Sequence, residues 1–178
     1  HLTGRYRGAA HQACNLKARQ DKTIPVIFHN LKGYDSHHII KYLDTVAFPN
    51  IRLSAIMNTE ERFISFTISD FKFIDSLQFL SSSLEKLVTI LSKTHEMKNI
   101  KEYYGEHAGL MMRKGVYPYS YVRSNDVFDK PLPSKREFIN ITDEEYEHAK
   151  NVYSTLNCRN FGDYHDHYLK TDVLLLGD

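Results

Sequence analysis

Asp35 ends the run His29-Asn30-Leu31-Lys32-Gly33-Tyr34-Asp35. A carboxylate just past a buried strand can hold a hard divalent cation such as Mg²⁺, which takes few protein ligands and prefers carboxylates. In the same run, the Asn30 amide could bind a nucleotide and the Tyr34 ring could stack on a base. An ordinary strand–turn–helix with Asp35 as N-cap is the other reading, and the run alone does not choose. Far along the chain, Tyr168 and Asp172 stand four residues apart, which on a helix puts them on one face. A phenol beside a metal-binding carboxylate could orient an attacking water; a surface Tyr–Asp pair is the alternative. The apolar run Val173-Leu174-Leu175-Leu176 follows and places Asp172 at the edge of a core, where a carboxylate without a partner is unusual. Ser83-Leu84-Glu85-Lys86-Leu87 and Lys114-Gly115-Val116-Tyr117 say little in isolation, since Ser83 is a good N-cap and Lys114 is by default a solvated charge.

These residues need a scaffold, and the hydrophobic pattern supplies one. Pro25–Phe28 is a continuous apolar run, the mark of a strand buried on both faces. His29–Gly33 follows as a loop, and Asp35-Ser36 can cap a helix carrying Ile39, Ile40 and Leu43. Strand–loop–helix opens an α/β unit. Three strands are predicted next, over Ile51–Met57, Arg62–Ser69 and Phe71–Ile74, joined by turns at 58–61 and 69–70. Ser83 then caps a helix with Leu84, Leu87, Val88 and Leu91 on one face. Residues 113–140 hold three of the chain's five prolines and many tyrosines, so an extended, irregular insertion is expected. Thr142-Asp143-Glu144-Glu145 is a capping box for a helix with Tyr146, Ala149, Tyr153 and Leu156 along one stripe. A last helix runs from about Asp163 to Leu176.

Composition sets the bounds. In 178 residues, apolar residues make up 42% and charged residues 25%, which excludes disordered, collagen-like and heptad-repeat classes. No apolar run is long enough to span a membrane. A net charge of +1 means that a nucleic-acid site would be a local groove rather than a basic face. Two distant cysteines, Cys14 and Cys158, without CxxC, point to a reducing compartment. No secretory signal is visible in the opening residues. A start without Met and an end within Thr171–Asp178 suggest a piece of a longer protein.

Taken together, the motifs Asn-x₄-Asp, Ser-Leu-x-x-Leu, Lys-x-x-Tyr and Tyr-x₃-Asp occur in an order that resembles the 3′–5′ exonuclease domain of protein-primed family B DNA polymerases of viruses, linear plasmids and transposons. The segments HNLKGYDSH, FIDSLQFL, KGVYPYSY and GDYHDHYLKTDVLLL carry the likeness, which runs from about Thr3 to the end. It implies a ribonuclease H-like α/β fold with a mixed sheet flanked by helices, spanning 23–178 with an insertion at about 118–160. It also implies roles. Asp35 and Asp172 would be metal carboxylates for Mg²⁺ or Mn²⁺, and Tyr168 would orient the water. Lys114 would steady the scissile phosphate, with Tyr117 positioning it. Asn30, Tyr34 and His29 would bind the single-stranded 3′ end. Ser83 and Leu84 would hold primer-strand DNA and the terminal protein that primes synthesis. The implied chemistry is two-metal hydrolysis of the terminal phosphodiester, as proofreading for a polymerase that consumes deoxynucleotides.

This chain departs from that family in several places. The first exonuclease motif, an Asp-x-Glu on a strand, is missing and would lie upstream of His1, so the isolated chain is expected to be a poor nuclease. Gly33 makes the Asn30–Asp35 spacing one residue longer than in the tightest phage version. No polymerase palm follows. Residues 1–15 resemble the zinc-knuckle segment of endonuclease VII-like HNH proteins, where His11 and Cys14 could supply half of a tetrahedral Zn²⁺ site; a loop with a free cysteine is the alternative. His37-His38 and His165/His167 read as polar-face residues near a phosphate path. Two other functions stay open from sequence: a non-catalytic module for single-stranded DNA or terminal protein, and an HNH-type endonuclease.

Overall fold

The computed structural model describes residues 11, 23–33, 35–45, 52–59, 62–94 and 97–178. The chain divides into two compact units, His1–Ser76 and Leu77–Asp178, and each has its own architecture.

The first unit is built on a four-stranded mixed sheet in the order β1-β4-β3-β2. β1 spans Ile24–Phe28, β2 Leu53–Thr59, β3 Arg62–Ile68 and β4 Phe71–Asp75. β1 runs parallel to β4, while β4–β3 and β3–β2 are antiparallel. The three later strands match the predicted meander. Strand periodicity puts Val26, Phe28, Phe66 and Phe73 on one face. There Phe73 stacks on Phe66 at 4.6 Å and on Phe28 at 6.2 Å. A 3-10 turn, Leu31–Gly33, and helix α1, Asp35–Thr45, follow β1, and Leu31 is fully buried. One expectation needs correcting. β1 is not buried on both faces: it lies at the end of the sheet, and Ile24 and Ile27 are exposed. A continuous apolar run resembles an interior parallel strand, but among the described residues β1 is hydrogen-bonded to β4 alone.

The second unit is helical. α2 spans Leu84–Thr94, α3 Lys98–Tyr104, α4 Ala108–Met111, α5 Asp143–Thr155 and α6 Phe161–Gly177. The irregular stretch between α4 and α5 contains only 3-10 turns, at Asn125–Asp129 and Lys135–Glu137, as its prolines predict. The core gathers Val88, Ile100, Met111, Ala149, Phe161 and Leu175. α3 and α4 are additions to the predicted elements. Asn99 and Ile100 at the start of α3 donate their backbone N–H groups to the Asp178 carboxylate, at 2.7 and 3.1 Å. A residue remote in sequence thus satisfies donors that the helix itself leaves open.

The capping box is present as predicted. The Glu145 N–H donates to Thr142 Oγ1 at 3.2 Å, and the Thr142 N–H donates to the Glu145 carboxylate at 2.7 Å. Thr142→Ala removes one half of it and should cost about 1 kcal/mol, read as a lower urea midpoint with unchanged slope. Taken together, the sheet and its helices form a mixed α/β architecture compatible with a ribonuclease H-like exonuclease fold.

Candidate functional site

In the second unit, four of the sequence-predicted residues converge. Helix α6 begins at Asn160, whose side chain accepts from the Asp163 N–H at 3.0 Å. Residues 161, 164, 165, 168 and 172 then recur at helical spacing along one stripe. The extended segment 114–119 lies along it. The Tyr164 hydroxyl donates to the Val116 carbonyl at 2.7 Å. The Tyr117 hydroxyl meets His165 Nδ1 at 2.6 Å, and its ring stacks on Tyr168 at 4.7 Å. The Tyr119 and Tyr168 hydroxyls are 2.7 Å apart. Lys114 Nζ stands 3.9 Å from the Asp172 carboxylate. A lysine, two tyrosines and a carboxylate far apart in sequence thus share one surface.

The electrostatics of this group follow from burial. Asp172 keeps 26% of its side chain exposed, and its Oδ1 is buried without a hydrogen-bond partner among the described residues. Burial raises its pKa above the ordinary carboxylate range, while Lys114 and the Tyr168 hydroxyl favour the anion. Burial likewise raises Tyr168, helped by its bond to Tyr119 and the nearby Asp172 charge. Tyr117 is pushed up to about 12 by burial and then by Tyr119. Both phenols keep their protons at neutral pH and act as hydrogen-bond groups, not bases. His165 is lowered by burial and is neutral in the same range. A half-sequestered carboxylate with one empty oxygen, a cation beside it and a protonated phenol can hold a divalent ion, a phosphate and a water.

In the first unit, the parallel pair β1 and β4 ends on one side, so the residues leaving the two strands become neighbours. His29 Nδ1 lies 2.9 Å from Ser76 Oγ. Asn30 has a positive φ of 69°, a conformation asparagine tolerates better than most residues. Asp35 is the first residue of α1 and half-buried. Beside it Ser36 is fully buried, with a hydroxyl that has no partner among the described residues. Carboxyl ends of parallel strands are where open α/β sheets place ligands.

The remaining predicted residues fall elsewhere. Ser83 is exposed and caps α2, with the Lys86 N–H at 3.4 Å from its Oγ. Leu84 fills the core of the second unit. Tyr34 and Cys14 lie outside the described residues, and His11 is exposed, so the zinc pair has no described geometry. Among the described residues, no group of three His, Cys, Asp or Glu side chains gathers as a metal cluster. Asp75, Ser76 and Tyr119 lie inside the segments FIDSLQFL and KGVYPYSY, but the motifs give them no role. Yet a second Ser-Leu-x-x-Leu is present, Ser76-Leu77-Gln78-Phe79-Leu80. The alternation Phe71, Phe73, Asp75 also puts a carboxylate on an apolar strand face, a signal that could have found it.

No helix among the described residues is long and apolar enough to cross a membrane. No curated protein and no solved structure matches the chain. The protein-family comparison does match, over residues 15–178, to DNA polymerase type B, organellar and viral. That span includes both strand-end residues and the whole tyrosine–lysine–aspartate group, and membership brings DNA as a partner. The chain belongs to the organellar and viral type B DNA polymerases.

Proposed function

We propose that this chain is the 3′–5′ exonuclease region of a protein-primed type B DNA polymerase and removes nucleotides from single-stranded 3′ ends. The observation that carries this reading is the Lys114–Tyr117–Tyr168–Asp172 group, with one Asp172 oxygen buried and unpartnered.

Asp35 and Asp172 are the ligands this chain would offer to Mg²⁺ or Mn²⁺; hard carboxylate donors and the empty Oδ1 suit either ion. Two such ions, bound in the intact polymerase, supply the charge that activates water and steadies the leaving 3′ oxygen. The chain's own groups do the rest. Lys114 neutralises a non-bridging oxygen of the scissile phosphate. Tyr168, protonated and held by Tyr119, donates a hydrogen bond that orients water without removing its proton. Tyr117, wedged against Tyr168 and His165, keeps the 114–119 segment in place. Asn30 and His29 take the terminal nucleotide, and Tyr34 stacks on a base, a contact that tolerates any sequence. The same polymerase takes a terminal protein as primer and deoxynucleotides as substrates.

The test is Mg²⁺-dependent digestion of a 5′-labelled single-stranded oligonucleotide by the full-length polymerase. Asp35→Ala abolishes mononucleotide release, and Lys114→Ala slows it about 10²-fold. Undiminished digestion by Asp35→Ala overturns the reading. Internal nicks in place of terminal release would point to the HNH-type activity. Oligonucleotide binding with no digestion by the wild type would point to a non-catalytic module.

A further inference from the structure

Asp75 is fully buried, yet neither the nuclease chemistry nor the apolar sheet face it occupies calls for a carboxylate. An ionised carboxyl is costly to bury unless it is hydrogen-bonded. Two of these bonds come from the turn after β1. The backbone N–H groups of Asn30 and Lys32 donate to Asp75 Oδ1 and Oδ2, at 2.9 and 3.2 Å. Charge-assisted bonds of this kind are about twice as strong as neutral ones. They span both sides of Leu31, itself fully buried, and so fix the turn that leaves β1.

The Asn30 side chain is held from the other side. The Gly33 N–H donates to the Asn30 backbone carbonyl at 3.0 Å, closing the turn and bringing Gly33 beneath the side chain. A Cβ built on Gly33 would fall 2.8 Å from Asn30 Oδ1 and 2.9 Å from Nδ2. The amide therefore lies flat on the Gly33 α-carbon, in space that only glycine leaves open. The extra residue in the Asn30–Asp35 spacing is the one that makes room for the amide.

We propose that Asp75 and Gly33 are positioning residues: the buried carboxylate sets the backbone of Asn30, the glycine seats its amide, and together they aim that amide at single-stranded DNA. The aiming is independent of the nuclease assignment; the DNA it serves rests on that assignment.

The experiment has two arms on the 178-residue chain. The first follows the Asn30 side-chain amide by ¹⁵N NMR, identified by its loss in Asn30→Ala. Asp75→Asn replaces two acceptors by one acceptor and an NH₂, so one backbone N–H loses its partner. The Asn30 amide signals then move toward those of free asparagine. Gly33→Ala, which leaves the buried carboxylate in place, moves them too and serves if Asp75→Asn fails to fold. The second arm measures anisotropy of a short fluorescein-labelled oligothymidylate. Asp75→Asn binds about tenfold more weakly. In the Asn30→Ala background, the same substitution costs nothing more, because it acts through Asn30.

Unmoved Asn30 signals in both variants overturn the proposal. So does an Asp75→Asn loss of affinity that is as large without Asn30 as with it, which is the mark of a purely structural role. Moved signals with unchanged affinity overturn the claim that the aiming serves DNA. If the wild type does not bind the oligothymidylate, DNA recognition fails, and the NMR arm alone decides whether Asp75 and Gly33 position Asn30.

Discussion

Asp172→Asn should melt at a higher temperature than the wild type at neutral pH while losing all metal-dependent nuclease activity in the full-length polymerase. The sign follows from the raised pKa. Burial, partly offset by Lys114 and Tyr168, makes the folded chain hold the Asp172 proton more tightly than the unfolded chain does. Below the ordinary carboxylate range both states are protonated and the residue costs nothing. As pH rises through that range, the unfolded chain ionises first and stability is lost, fully so above the folded pKa. The asparagine variant has no charge to bury, so its advantage is present at neutral pH and fades on acidification toward about pH 4. Thermal melts at a series of pH values, with and without Mg²⁺, read this directly. The cation should raise the melting temperature of the wild type more than that of the variant. A variant that melts lower at neutral pH, or gains as much from Mg²⁺, would refute the assignment of Asp172 as a strained ligand.

The largest loss of stability should come from Phe161→Ala. Phe161 is fully buried at the start of α6, and its N–H donates to the Lys130 carbonyl at 2.6 Å. Its ring stacks parallel to Phe128 at 5.9 Å and near Tyr117 at 5.6 Å, and meets Tyr121 edge-on at 5.7 Å. Truncating a buried phenylalanine typically costs about 3–5 kcal/mol, the transfer loss plus a cavity. Tyr121 and Phe128 are on the irregular stretch, so the damage should spread through it. Tyr117 also loses one of the rings packed around it, keeping Tyr119, His165 and Tyr168. Chemical denaturation gives the stability change. Exonuclease activity, measured where the variant is still folded, should fall as well; full activity with lowered stability would separate Tyr117 positioning from the core.

The elements with strong periodicity or punctuation are legible in the sequence. The alternating strand at Arg62–Ile68, the Ser83 cap and the Thr142–Glu145 box all fall where simple rules put them. The Tyr168–Asp172 spacing likewise predicts a shared helix face, and the two side chains do influence each other's protonation. α3 and α4 are harder to read. Ile100, Tyr104, Ala108 and Met111 form a helical stripe, but Gly105 takes a positive φ of 55° and breaks it into short pieces. The burial of β1 cannot be read from its residues either, because strand order in the sheet decides it. Asp75 shows in the sequence as a carboxylate on an apolar strand face, but its role stays hidden, because the Asn30 and Lys32 N–H groups that donate to it have no sequence signature. Tyr119 is placed by a hydroxyl contact that depends on how the 114–119 segment lies along α6.

That segment bears on how such a domain could change over generations. Lys114 and Tyr117 dock directly on α6, while the residues joining them to it pack around Val127, Ala149 and Val152. Doubling the length of a flexible connection costs only about 0.6 kcal/mol in closure entropy. Insertions or deletions along the exposed turns near 123–126 and 139–140 would therefore leave the lysine opposite its aspartate. Lineages could diversify that excursion, and whatever it meets, at little risk to the chemistry beneath it.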